Sequence, residues 1–532
     1  MPAHDLPARP NLDQYKRQAK ELLAACRSGD PTALRRAAGH RGPRSRLQLA
    51  DAQFIIAREH GFESWPKFSR HIEQLALARP LASIANPVDA FIEAATVPRD
   101  AHTSGTLERA KLIRQQYPEV VKDFYAAATL GDEVTVRAAL ARNAASATAP
   151  GGPYRWDALT YLCFSRYLRL DRSRAPAFVA TARALLDAGA NANTGWYETI
   201  DHPHPRPVFE AVIYGAAGIA QHPDLTRLLL QRGADPNDEE TPYHVPETTD
   251  SSVLEVLLES GRLSEASLST MLVRKSDWHD LPGMRLLLER GADPNRVTRW
   301  GYTALHQAVR RDNDLRMIAV LLDHGADPRL PDQHGRSSAV IAVRRGRGDV
   351  LRVLERRGLP ATLTGHDRLI AACALDDHEA IVALRSSAPD LSAAILAEGG
   401  TLLSEFAGNG NTVGVRRLLE CGVDPAALYE QGDAYFGIAP RSTALHVAAW
   451  RAHPEVVRTL IAAGTPVDAM DGDGRTALML AVKACVDSYW SSRRSPESVA
   501  ALLDAGATAA GIDLPTGYEA IDVLLARAGA EK

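Results

Sequence analysis

The sequence predicts an all-α fold: a solenoid of about ten to eleven helix–turn–helix units behind a small helical domain. Three observations predict it. A short phrase recurs, as GADPN at 233–237 and 291–295 and as GADP at 325–328. Degenerate forms stand at 189–191, 422–424, 464–467 and 506–507. TALH at 303–306 and 443–446, and TALM at 476–479, each open a segment with two short apolar stripes at helical spacing. The 532 residues exceed one ordinary core, a limit that a stack growing in one dimension escapes.

Residues 298–330 show the physics of one unit. Gly301 permits a tight turn. Thr303 caps a helix over 304–310 through its hydroxyl, with Leu305, Ala308 and Val309 on one side. Asp312 and Asn313 break that helix because their side chains compete for backbone hydrogen bonds. A second helix follows over 315–324, with Leu315, Ile318, Leu321 and Leu322 inward. Gly325 suits the left-handed residue that ends a helix, and Asp327-Pro328 forces an extended exit. Two short helices cannot bury their own apolar faces, so each unit needs a neighbour on both sides.

These residues and their register resemble the ankyrin-repeat family. The resemblance implies that His306 and His446, the histidines of TALH, bond to a neighbouring repeat's backbone rather than perform catalysis. It also implies that fingers and inner helices line one concave surface, which serves protein or peptide recognition.

In chain order, 1–79 reads as a helical segment, with helices over 12–27, 49–60 and from Trp65 through His71 and Leu75. The run 35–46 reads as a solvated linker, and Trp65 as a packed aromatic. The phrase LADAQFIIAREHGFESWPKFSRHIE resembles a helical segment found ahead of repeats in bacterial ankyrin proteins. A connector, 80–117, holds helices near 88–96 and 106–117. The solenoid, 118–532, opens with a cap at 119–141 split by Gly131-Asp132. Units follow at 152–194, 195–237, 238–263, 264–297, 298–330, 331–359, 360–393, 394–427, 428–470 and 471–511. A bend is placed near 360–427, and a last helix over 518–528 closes the stack.

Insertions in a repeat map to loops on one face, often the binding face. Four units are lengthened here: by YLCFSRYLRLDRSRAP, WYETIDHPHPRP, LYEQGDAYFGIAP and ACVDSYWSSRRSPES. They hold or adjoin Trp156, Tyr161, Tyr167, Trp196, Tyr197, Tyr435, Tyr489 and Trp490, in a chain that is only 6% aromatic. Other units place unexpected residues at fingers and turns: Asp238, Glu239, Glu240, Tyr243 and His244; Arg274, Lys275, Trp278 and His279; and Arg299, Trp300 and Tyr302. Exposed Trp and Tyr on a repeat surface are favoured binding anchors. The reading is therefore a recognition scaffold for a protein or peptide, with Trp196, Tyr197, Tyr243, Trp278, Trp300 and Tyr302 as anchors. Arg274, Lys275 and Arg299 would be their polar partners. The alternative is a small-molecule or hydrolytic site that adds Asp238, Glu239, Glu240, His244 and His279.

The rest of the sequence narrows the classes. Lys and Arg number 61 against 65 Asp and Glu, a net charge of −4, which gives no general attraction to nucleic acid or an anionic membrane. Cys26, Cys163, Cys373, Cys421 and Cys485 are scattered without a CxxC pair, which suggests reduced thiols and the cytoplasm. No P-loop, HExxH or GxSxG is present. His202 and His204 lack further ligands at metal-binding spacing, so no metal or other cofactor is expected, and the chain is expected to be a monomer.

Overall fold

The computed structural model describes residues 12–28, 30–39, 49–69, 72, 84–97, 102–200, 206–488 and 493–529. The chain divides into two compact units, Met1–Asp293 and Pro294–Lys532.

The first unit begins with helices Leu12–Arg27, Pro31–Ala38 and Leu49–Glu59 around their own core of Tyr15, Ala19, Ile55, Ile56 and Phe68. The expected linker is helical at its start. Asp30 caps Pro31–Ala38 by accepting from the backbone N–H groups of Thr32 and Ala33, and Arg36 forks onto Glu59 at 2.5 and 2.6 Å. Residues 40–46 of that run, and 70–71 and 73–75 of the third predicted helix, lie outside the described residues. Trp65 is partly buried against Phe68. The connector supplies Pro87–Ala95 and Glu108–Gln116.

Helix pairs then follow: Phe124–Leu130 with Glu133–Arg142, Ala158–Cys163 with Ala175–Asp187, Glu240–His244 with Ser252–Glu259, and Glu265–Asp277 with Leu281–Glu289. Pro223–Gln231 is the outer helix of the unit between. In the second unit the pairs run from Ala304–Arg310 with Leu315–Asp323 to Ala477–Val486 with Glu497–Asp504, and Glu519–Arg527 comes last. An extra helix, Pro389–Ala397, precedes the pair Gly399–Gly408 and Thr412–Glu420. Of the stripes predicted for 298–330, Leu305, Ala308, Val309, Ile318, Leu321 and Leu322 are buried, whereas Leu315, in the first turn of its helix, is only half-buried.

Polar side chains staple neighbouring repeats. Asn193 donates to the Gly233 carbonyl at 3.0 Å and accepts from the Asp235 N–H at 2.7 Å. Asn295 repeats the pattern on Gly325 and Asp327 at 2.8 and 2.7 Å. His306 Nε2 lies 3.1 Å from the Arg336 carbonyl, and His446 Nε2 lies 2.9 Å from that of Ala469. Both rings turn Nδ1 back to the cap threonine hydroxyl at 2.8 Å. The recurring GADPN and TALH phrases are therefore joints between repeats.

The break after Ala304–Arg310 has a different cause from the one expected. Asp312 is left-handed, with φ of 53°. Its carboxylate is buried against Arg345 at 2.8 Å and Arg451 at 3.0 Å. Asp314 caps the next helix by accepting from the Met317 N–H.

Three insertions are not plain loops: YLCFSRYLRLDRSRAP carries the helix Arg166–Leu170, and two others carry strands. WYETIDHPHPRP belongs to a two-stranded antiparallel ribbon, β1 (Gly195–Ile200) and β2 (Arg206–Ala211). Trp196 stands opposite Glu210, and Glu198 opposite Val208. His202 and His204 lie outside the described residues. The insertion at 428–440 is closed by a shorter pair, β3 (Leu428–Tyr429) and β4 (Ser442–Thr443). Among the described residues, most of the aromatics named for the insertions build core rather than surface. Trp156, Tyr161, Tyr167 and Trp196 are buried, whereas Tyr197 and Tyr435 are exposed. Tyr489 and Trp490 lie outside the described residues.

Candidate functional site

The ribbon creates two faces of opposite character, because side chains alternate along a strand and pair across it on the same face. Tyr197 and Phe209 point outward, with ring centroids 5.1 Å apart and 69% and 36% of their surface exposed. Trp196, Glu198 and Glu210 point inward. Trp196 packs on Trp156 at 4.9 Å and on Phe164 at 5.8 Å. It is therefore a core residue, contrary to its expected place on the surface, because the insertion buries its own apolar rings.

Beneath the ribbon lies an acidic cup. His102, from the connector, sits with Nε2 3.0 Å from Glu198 and Nδ1 3.0 Å from the Tyr214 hydroxyl. Tyr214 follows β2 directly and lies against the His244 ring, with centroids 5.1 Å apart. His244 is held between Glu240 at 3.1 Å and Glu247 at 3.2 Å, one helical turn to either side. Glu247 binds Arg274, which also pairs with Asp277 at 2.6 Å and covers the Tyr243 ring at 4.0 Å.

The charges perturb one another. Burial, then Glu240 and Glu198, push the Glu210 carboxyl up to about 8. Burial pushes Asp238 up to about 6, although Thr241 donates to it twice. Burial pulls His244 down, but Glu240 and Glu247 more than offset it and raise the imidazole to about 9. Burial, then Glu210, raises the Tyr214 phenol.

The other candidate residues are placed as follows. Glu239 is exposed, 3.8 Å from Arg206. Lys275 is sealed, with Nζ donating to Asp280 at 2.6 Å and to the Thr248 carbonyl at 2.8 Å. It holds the turn between two helices and cannot reach a partner, which corrects its expected role. Trp278 is exposed, beside an exposed His279 in the left-handed conformation at φ of 51°. In the second unit Arg299 covers Trp300 at 5.1 Å, and Trp300 stacks on Tyr302 at 6.1 Å. Arg310 covers Tyr302 from its own helix at 4.8 Å.

The structure thus brings Glu240, Tyr243, His244 and Arg274 together. The sequence reading missed His102, Glu198, Glu210 and Tyr214. One signal for Glu210 was available: a lone carboxylate inside the apolar run VFEAVIY. His102 and Glu198 carry none, since only the tertiary fold brings them together.

Comparison with known proteins bears on the repeats. A family model described as ankyrin repeats (many copies) matches residues 287–342, and a second of the same description matches 445–487. A search of curated proteins finds no match. Among solved structures, the chain is similar to the ankyrin repeat domain of Bcl-3, described as a unique member of the IkappaB protein family. That similarity has 24% identity over 44% of this chain and 97% of that one, at a TM-score of 0.21. The score is too low to bear on shape or site. The two matched segments, the asparagine and histidine joints and the succession of helix pairs agree that the chain carries ankyrin repeats, and such repeats generally mediate protein–protein interaction.

Proposed function

We propose that the chain is a recognition protein that captures a partner protein or peptide through aromatic side chains presented on its insertions and turns. One observation carries this reading: Tyr197 and Phe209 stand together on the outer face of a ribbon whose inner face is already buried. Aromatics in that position contribute nothing to the core, and paired exposed rings are efficient binding anchors. Trp278 adds an exposed ring to the same unit, and Arg299, Trp300 and Tyr302 add a cation-covered stack to the second.

The hydrolytic alternative draws less support. Lys275 is sealed, His279 lies at an exposed turn, and both nitrogens of His244 already meet carboxylates. The five cysteines are free and buried, which fits a reducing compartment.

The test is affinity capture with wild type beside the double variant Tyr197→Ala, Phe209→Ala, detecting proteins and small molecules together. The expected result is a protein retained by wild type and lost by the variant, with the thermal midpoint almost unchanged, since surface substitutions usually shift stability by less than about 0.5 kcal/mol. Equal retention by both proteins overturns the reading.

A further inference from the structure

We propose that His102, Glu198 and Glu210 form a binding site for one first-row divalent cation of the zinc or manganese class. Three features carry the assignment. One ligand atom from each residue lies within 4.8 Å of the other two. Tetrahedral zinc with bonds of about 2.0–2.1 Å places its ligands roughly 3.3 Å apart, so a contraction of side-chain size suffices, and the His102–Glu198 edge is already 3.0 Å.

The second feature is Glu210. It is 2% exposed, and among the described residues its Oε2 has no hydrogen-bond partner. A buried carboxylate oxygen left unpaired is destabilising, and a cation at this position would satisfy it. The acidic residues around Glu210, namely Glu198, Glu240 and Asp238, outnumber its cationic neighbour His244.

The third feature is Tyr214, itself buried, whose hydroxyl sits 3.0 Å from His102 Nδ1. A metal-binding imidazole is characteristically oriented this way, one nitrogen fixed by a hydrogen bond and the other aimed at the ion. The ligand set also selects the ion. An imidazole with two carboxylates suits zinc or manganese, whereas magnesium and calcium prefer oxygen alone. Three protein ligands leave a coordination position for a further group.

The full-length protein, stripped with a chelator, is titrated by calorimetry with Zn²⁺, Mn²⁺ and Co²⁺, and with Ca²⁺ and Mg²⁺ as controls. The expected result is one transition-metal ion per chain and a visible Co²⁺ spectrum. His102→Ala and Glu210→Gln should abolish both. Tyr214→Phe should weaken affinity about 10–100-fold, the usual effect of losing an orienting partner. Thermal melts confirm folding, and Glu198→Gln replaces any variant that fails to fold. Wild type that binds no ion overturns the proposal. So do folded variants that bind with unchanged stoichiometry and affinity, because the ion is then held elsewhere.

Discussion

Asp312 occupies the left-handed turn that glycine fills at Gly131 and Gly346, where φ is 65° and 68°. A side chain there is strained, so its retention needs a cause. The cause is the buried fork onto Arg345 and Arg451. Burial raises the Asp312 carboxyl, but the two guanidinium groups more than offset this and hold it well below the usual carboxylate range. Arg345 also meets Glu405 at 2.8 Å, and Glu405 accepts from the Tyr429 hydroxyl at 3.0 Å. Removing one partner of a buried pair costs about 3–5 kcal/mol. Asp312→Ala should lose that much in a denaturant melt, and Asp312→Gly about 1 kcal/mol less, because glycine relieves the backbone. His279 shares the conformation but is exposed, so His279→Gly should be neutral or stabilising by up to about 1 kcal/mol. If Asp312→Gly proves as harmless as His279→Gly, the network contributes nothing.

The ribbon is the element on which both proposals depend. Gly195 lets its strands close: a Cβ there would lie 2.2 Å from the Glu210 carbonyl and 2.9 Å from the Phe209 ring. Gly195→Ala should therefore open the ribbon locally. Hydrogen exchange should quicken at the paired residues of β1 and β2 while the amides of Phe124–Leu130 and Glu133–Arg142 stay protected. Uniform protection would show that the strands tolerate the Cβ. The helix pairs were legible in the sequence because their 3.6-residue stripes and turn residues repeat. The ribbon was hidden by the prolines of HPHPRP and by its brevity. Its alternation, Trp196 and Glu198 inward with Tyr197 outward, covers too few residues to outweigh the surrounding helical pattern. Trp196 was misplaced for the same reason, since an insertion treated as a loop has no inner face.

At the scale of the whole molecule, repetition makes the architecture legible while leaving the site obscure. Thr303, His306, Asn295 and Gly325 declare themselves by recurring at fixed offsets. His102 and Glu198 meet only after the connector and an insertion fold together, and no local spacing records that meeting. The same cup sets the pH response. The imidazole of His244 titrates at about 9 when folded against an ordinary 6.5. Its stabilisation is complete below pH 6.5 and is lost as pH rises through 9. Glu210, raised from 4.5 to about 8, acts in the same direction over its own range. The thermal midpoint should therefore fall between pH 6.5 and 9.5, and His244→Gln should reduce that fall. An identical fall in both proteins would mean that the His244 contacts with Glu240 and Glu247 do not hold in solution.

The most direct measurement of the recognition reading places a photo-crosslinking amino acid at position 197. A control carries it at position 134, where Val134 is 79% exposed on the outer helix Glu133–Arg142. Irradiation with the captured partner should link position 197 to it and leave position 134 unlinked. Equal linking at both, or none at 197 while capture persists, would contradict the assignment of the ribbon's outer face as the binding surface.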